Sequence, residues 1–280
     1  MKKVLIPTDF SDNAWDALQY AIRLYDDIPT CFYILNTYQV STSRTANNMH
    51  KERDTHMYRL LKEVSEKELK KIKTYLNDNL LNDKHEYRMI SKTGSLLDIT
   101  KKIVSSKNID IMVMGTSGAT GAKEIFMGSN TVRAIKNIDL CPIMSVPHKY
   151  EYEEPENIVF ATDFKRHFNA IELKCLIELQ LLHNFKIKII YVNKGQGLNS
   201  VQQQNIAVFK EYFDDEVVSL EEIITDNSIA DTINDFTKKQ KMNMVCLLNY
   251  EHSFIELITH EPIVKKISFH SAVPLLIIPV

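Results

Sequence analysis

The chain has 280 residues, roughly two domains' worth at about 100 to 200 residues per domain. Its 44% hydrophobic and 25% charged residues are ordinary for a folded globular protein and exclude a disordered, fibrous or disulfide-stapled chain. A balance of 34 basic against 36 acidic residues gives a formal charge of -2, so no broad electrostatic attraction draws the chain to nucleic acid or to anionic lipid.

In chain order, the first apolar run covers Lys3 to Thr8 and ends in Thr-Asp-Phe. A helix follows from a Ser11 N-cap, with Ala14, Leu18, Ala21 and Ile22 at helical spacing. Further strands are expected at Cys31 to Thr37, Tyr87 to Ile90, Ile109 to Met114 and Ile143 to Val146. Between them Leu61, Val64, Ile72 and Leu76 keep helical spacing, and so do Leu96, Ile99 and Ile103. Residues 38–60 are polar and read as an extra loop leading into a long helix. Past 156 the alternation resumes, with strands near 157–162, 186–192, 220–225, 243–248 and 275–279. Strands alternating with helices imply parallel sheets built from βαβ units.

The two halves echo one another. KVLIPTDF at 3–10 answers NIVFATDF at 157–164, and CPIMSVP at 141–147 answers VPLLIIP at 273–279. The segment GSLLDITKKIVSSKNIDIMVM at 94–114 aligns without a gap to NSIADTINDFTKKQKMNMVCL at 227–247. A duplicated domain accounts for all three matches, with the boundary in HKYEYEEPE at 148–156, so domains of 1–148 and 156–280 are expected. The apolar last strands, IMSV and LLII, suit edge-to-edge pairing of the halves as an intrachain pseudo-dimer, and pairing of whole chains into a homodimer is compatible with this.

Glycine is scarce, seven in all, yet Gly115, Gly118, Gly121 and Gly128 fall within fourteen residues after an apolar strand. A helix starts at Ser129 or Asn130. Unpaired amides and the positive end of a helix dipole converge at such a start, and phosphate is the natural occupant. Neither GxGxxG nor GxxxxGK[ST] is present. The pattern that is present, Gly115-x-x-Gly118, nine residues, then Gly128-Ser129, resembles the nucleotide signature of the universal stress protein family. VLIPTDFS at 4–11, DIMVMGTSG at 110–118 and CPIMSVP resemble that family's first, fourth and last strands, and two such domains in one chain is a common family arrangement. The resemblance implies two doubly wound five-stranded α/β domains of the adenine nucleotide α-hydrolase-like type, strand order 3-2-1-4-5.

That order puts a topological switch point between strands 1 and 4, where open α/β sheets take their ligands. The resemblance implies that Asp9 meets ribose or the adenine side, with Pro7 and Thr8 leading to it, that the backbone at Thr37 meets the adenine ring, and that Met114, Gly115, Gly118, Gly128, Ser129 and Asn130 line the phosphates. Thr131 adds a hydroxyl at the helix start. ATP is the implied ligand; Mg²⁺ would travel with its phosphates, held mainly by nucleotide and water.

Structural readings stand beside these. Asp9 also suits capping of the first helix, Gly121 a tight turn, and Trp15 core packing. KEVSEKELKKIK at 62–73 reads as a solvated face, the four scattered cysteines as buried thiols, and the histidines lack zinc spacing. Where the first half has its glycines, the second has LNYEHSFIELITHEP at 248–262, whose glutamates oppose phosphate, so one nucleotide per chain is expected, in the N-terminal domain only. No nucleophile, base and orienting group cluster around the loop, so a regulatory binding protein is expected rather than an enzyme, with slow ATP hydrolysis or autophosphorylation at Ser129 as the catalytic variant. The alternative is a nucleotide-free interaction scaffold on the duplicated fold, its protein partner unspecified. No run approaches the ~18 apolar residues of a membrane span, and Pro7 and Asp9 interrupt the short apolar stretch at the N-terminus, so a cytoplasmic setting without a membrane partner is expected.

Overall fold

The chain is described from a computed structural model, which covers residues 1–39, 48–116, 128–193, 197–225, 227–249 and 271–280. The elements of its first half run β1 (Lys2–Pro7), α1 (Asp12–Leu24), β2 (Thr30–Tyr38), α2 (Asn48–Asn79), β3 (His85–Thr93), α3 (Leu96–Lys107), β4 (Ile111–Gly115), α4 (Ser129–Asn137) and β5 (Ile143–Val146). The second half continues with β6 (Asn157–Ala161), α5 (Lys174–His183), β7 (Lys186–Asn193), α6 (Ser200–Lys210), β8 (Val218–Ile224), α7 (Ile229–Lys239), β9 (Met244–Asn249) and β10 (Leu275–Pro279). No helix or strand lies between β5 and β6.

All ten strands join one sheet in the order β3-β2-β1-β4-β5-β10-β9-β6-β7-β8. Within each run of five the pairing is parallel and the order is the expected 3-2-1-4-5. Among the described strands the one antiparallel junction is β5 with β10, where Leu275 faces Ser145 and Ile277 faces Ile143. The expected edge pairing of IMSV with LLII therefore forms within the chain, and two edges that would otherwise lie open are used up.

Strands buried on both faces explain why they read as unbroken apolar runs rather than alternations. Their period of two divides the core into two layers. Val4, Ile6, Phe32, Ile34, Ile158 and Phe160 pack into one layer with α1, α2, α5 and α6. Leu5, Tyr33, Leu35, Val159 and Leu247 pack into the other with α3, α4 and α7. Each layer crosses the β5–β10 junction without a break. The junction side is further tied by Lys2 Nζ donating to Glu178 Oε2 at 2.5 Å and by the His183 ring against the Leu24 carbonyl at 2.9 Å.

Local capping explains the helix starts. The Ser11 hydroxyl accepts from the Ala14 N–H, as expected for its N-cap. Ser95 caps α3 and Ser228 caps α7 in the same way, each hydroxyl also donating to an acid three residues on, Asp98 or Asp231, at 2.6 Å. All four cysteines are buried, and burial pushes the Cys141 and Cys175 thiols up to about 12. Trp15 packs edge-on against Tyr75, 4.9 Å between ring centroids, in keeping with its reading as a packing residue.

Two expectations are corrected. Residues 38–60 are not a loop throughout, because β2 runs to Tyr38 and α2 is helical from Asn48. The inward face of α2 is the expected one at Leu61, Ile72 and Leu76, but not at Val64, whose place is taken by Ser65. Val64 is 55% exposed, while Ser65, Leu69 and Leu76 are buried. Ser65 is tolerated there because its hydroxyl pairs with that of Ser91 on β3 at 2.7 Å, which satisfies a polar group the periodicity had excluded from the core.

Candidate functional site

The residues at the carboxyl ends of β1 and β4 build the switch point. After Pro7 the chain turns sharply: the Thr8 N–H donates to the Leu35 carbonyl at 2.8 Å and the Asn36 side-chain amide donates to the Thr8 carbonyl at 2.8 Å, which locks the end of β1 to β2. Phe10 sits in the left-handed region at φ 65°, with its N–H donating to Thr8 Oγ1 at 3.0 Å. Asp9 Oδ1 accepts from both the N–H and the hydroxyl of Ser11, at 3.0 and 2.5 Å, so it holds the turn before α1, while the N-cap for which it was also suited is Ser11. The second Thr-Asp-Phe builds the same turn. Phe164 has φ 51°, and the Lys165 N–H donates to Asp163 Oδ1 at 3.0 Å.

At the end of β4, a Cβ on Gly115 would stand 2.5 Å from Asn13 Oδ1 and 2.8 Å from the Asn13 carbonyl oxygen. Asn13 is buried on α1, and its amide donates to the Val146 carbonyl at 3.2 Å. Gly115 is thus required by close packing of α1 over β4. Thr131 is buried and its hydroxyl donates to the Gly115 carbonyl at 3.0 Å, which fixes the first turn of α4 to the strand. Gly128 is the N-cap of α4, and its own N–H donates to the Thr116 carbonyl at 2.5 Å. Among the described residues no side chain caps α4 or α5, whereas serines cap α1, α3 and α7 and Asn199 caps α6. Among the described residues the first amides of α4, on exposed Ser129 and Asn130, therefore have no capping side chain. Gly118 and Gly121 lie outside the described residues, as do positions 250–262 of the acidic counterpart segment.

A cavity of about 520 Å³ opens between α3, α4 and the strand ends. Of the expected site residues, Pro7, Thr37, Met114 and Asn130 line it, while Thr8, Asp9, Gly115, Gly128, Ser129 and Thr131 flank it in sequence without lining it. The cavity also takes in Gln39, Ser95, Thr100, Met112 and Arg133, which sequence reasoning missed. Two of these carried a usable signal. Ser95-x-x-Asp98 directly after a strand marks a helix N-terminus at the same sheet end, and Arg133 stands one turn after Asn130, on the same side of α4. The walls combine apolar Leu96, Leu97 and Ala134 with the polar Ser95 and Asn130 and one cation, Arg133. Among the described residues no group of three or more His, Cys, Asp or Glu side chains is arranged to hold a metal ion.

The match to known proteins follows this geometry. The model of the universal stress protein family matches residues 1–147, slightly over half of the chain. The chain belongs to the universal stress protein family. Universal stress protein MJ0531 of Methanocaldococcus jannaschii is 30% identical over 145 residues, 52% of this chain and 81% of that protein. A crystal structure of a universal stress protein from Archaeoglobus fulgidus overlays with a TM-score of 0.61 across 99% of this chain and 95% of that one, at 14% identity, a likeness of fold. A family protein of Arabidopsis thaliana with AMP bound covers 53% of this chain at 16% identity, with a TM-score of 0.36, too distant to transfer individual contacts. Among the described residues no helix is long and apolar enough to cross a membrane.

Proposed function

We propose that this universal stress protein binds ATP in the cavity between α3 and α4, and that nucleotide occupancy alters a surface read by a protein partner. The observation that carries the reading is the α4 N-terminus: a glycine N-cap without a capping side chain, at the end of the strand beside the switch point, bordering a cavity of about 520 Å³. The first amides of a helix and its dipole attract anionic phosphate. Arg133 adds a cation on the same helix, and the apolar side of the cavity suits a heterocycle. Family membership supports a nucleotide as the ligand class. Mg²⁺ would be carried by the phosphates and water.

The binding unit is residues 1–148, and residues 156–280 form a second domain of the same topology that binds no nucleotide. Support comes from the second half's own bonds. The side-chain amide of Gln202 donates to the Asp163 carbonyl at 2.7 Å, and that of Asn205 donates to the Phe164 carbonyl at 2.8 Å, so α6 closes over the equivalent turn. The scaffold reading draws on the continuous ten-stranded sheet, and one experiment separates the two. In thermal melts with Mg-ATP the wild-type chain is expected to shift upward. Arg133→Glu is expected to lose most of that shift, whereas Lys136→Glu, the same charge change elsewhere on α4, is expected to keep it. An absent shift in the wild type at millimolar Mg-ATP supports the scaffold instead.

A further inference from the structure

We infer that the Thr100 hydroxyl reads the base: it hydrogen-bonds the heterocyclic edge of the nucleotide in this cavity. The inference rests on the nucleotide reading above. Thr100 lies on the second turn of α3, is 1% exposed, and borders the cavity. Its Oγ1 has no hydrogen-bond partner. A buried hydroxyl left unpaired is costly, so native structures hold few of them. The other such atoms among the described residues belong to Tyr25, His85, Thr116, Ser145 and Thr237, none of which lines the cavity.

The chain supplies its own comparison. In the gapless alignment of 94–114 with 227–247, Thr100 falls opposite Ile233, which is fully buried in the core under α7. Helices α3 and α7 start from the same serine cap and the same acid three residues later, so the two positions have equivalent backbone settings. An apolar side chain satisfies the fold there. The hydroxyl of the first half serves something the fold does not provide.

The surroundings indicate what that is. Leu96, Leu97, Met112, Ala134 and Ile138 make an apolar slot around Thr100, suited to a flat heterocycle and ill suited to phosphate, while Arg133 and the α4 amides mark the anionic end. Threonine in a helix occupies two χ1 wells of similar energy because its hydroxyl can bond back to the preceding turn. Thr100 makes no such bond, and its oxygen is shut from solvent in the present rotamer. In this reading a χ1 step brings the hydroxyl to the cavity that Thr100 borders. There the hydroxyl, both donor and acceptor, meets either a ring nitrogen or an exocyclic amine.

Calorimetric titration of the full chain with ATP, AMP and adenosine, with ligand-free melts alongside, tests this. Thr100→Val keeps the shape and deletes the hydroxyl. It is expected to weaken all three ligands by a similar factor, about tenfold, while melting at or above the wild-type temperature; Thr100→Ser is expected to stay within about threefold. Equal binding by wild type and Thr100→Val overturns the inference alone. So does a loss confined to ATP, which would put the hydroxyl at the phosphates, or a Thr100→Val chain that melts well below the wild type, which would mean the hydroxyl has a partner inside the fold. Wild-type protein that binds none of the three overturns the nucleotide reading, and the inference falls with it.

Discussion

Gly115 illustrates how one residue type can serve two purposes that a sequence does not separate. Its place in a spaced glycine set pointed to phosphate, yet the atoms nearest its missing side chain belong to Asn13 on α1, at 2.5–2.8 Å. Gly115→Ala is therefore expected to lower stability by about 1–3 kcal/mol, as overpacking of a tight contact does. Chemical denaturation without ligand would detect this, and an unchanged midpoint would remove the packing explanation. The second half is consistent with it. Leu248 stands opposite Gly115, and there no helix begins before Lys174, eleven residues past Asp163, so a leucine fits where α1 would otherwise crowd it. Asp9 was legible as acidic and at a strand end, but its two bonds to Ser11 are local. A single sequence shows residue type and spacing, and only the fold shows which neighbour a bare Cα faces. Thr100 was missed for the converse reason: it sits inside a helix, where nothing in the local pattern marks it as bordering a cavity, whereas Arg133 was marked only by its spacing from Asn130.

At the level of elements the strands were the most legible part. Runs such as IMSV at 143–146 and LLIIP at 275–279 are apolar on both faces and coincide with β5 and β10. Helix starts followed from Ser11 and from Ser129, because caps and glycine N-caps leave local signatures. One position on the inward face of α2 was misread, because Ser65 occupies a core position and Val64 a solvent one, with Ser91 on the neighbouring strand as the serine's hydrogen-bond partner. The consequence is measurable. Leu69→Ala, on the buried face, is expected to cost about 2–5 kcal/mol, and Val64→Ala about 0.5 kcal/mol or less. Similar losses from the two in urea melts would contradict the exposure of Val64.

For the molecule as a whole, the two five-stranded runs share one sheet and two continuous core layers, so the second half buttresses the first through β5 and β10. The duplication was readable because Thr-Asp-Phe and the Ser-x-x-Asp caps recur and build matching turns and helix starts. The pairing of last strands was readable because both are short, apolar and destined for an edge. A candidate ligand class was readable only in the first half, where the spaced glycines precede the start of α4. The most direct test of the account is the stoichiometry of Mg-ATP titrated calorimetrically into the purified full-length chain. One nucleotide per chain is expected; two per chain, or no heat and no change in melting temperature at millimolar ligand, would contradict it.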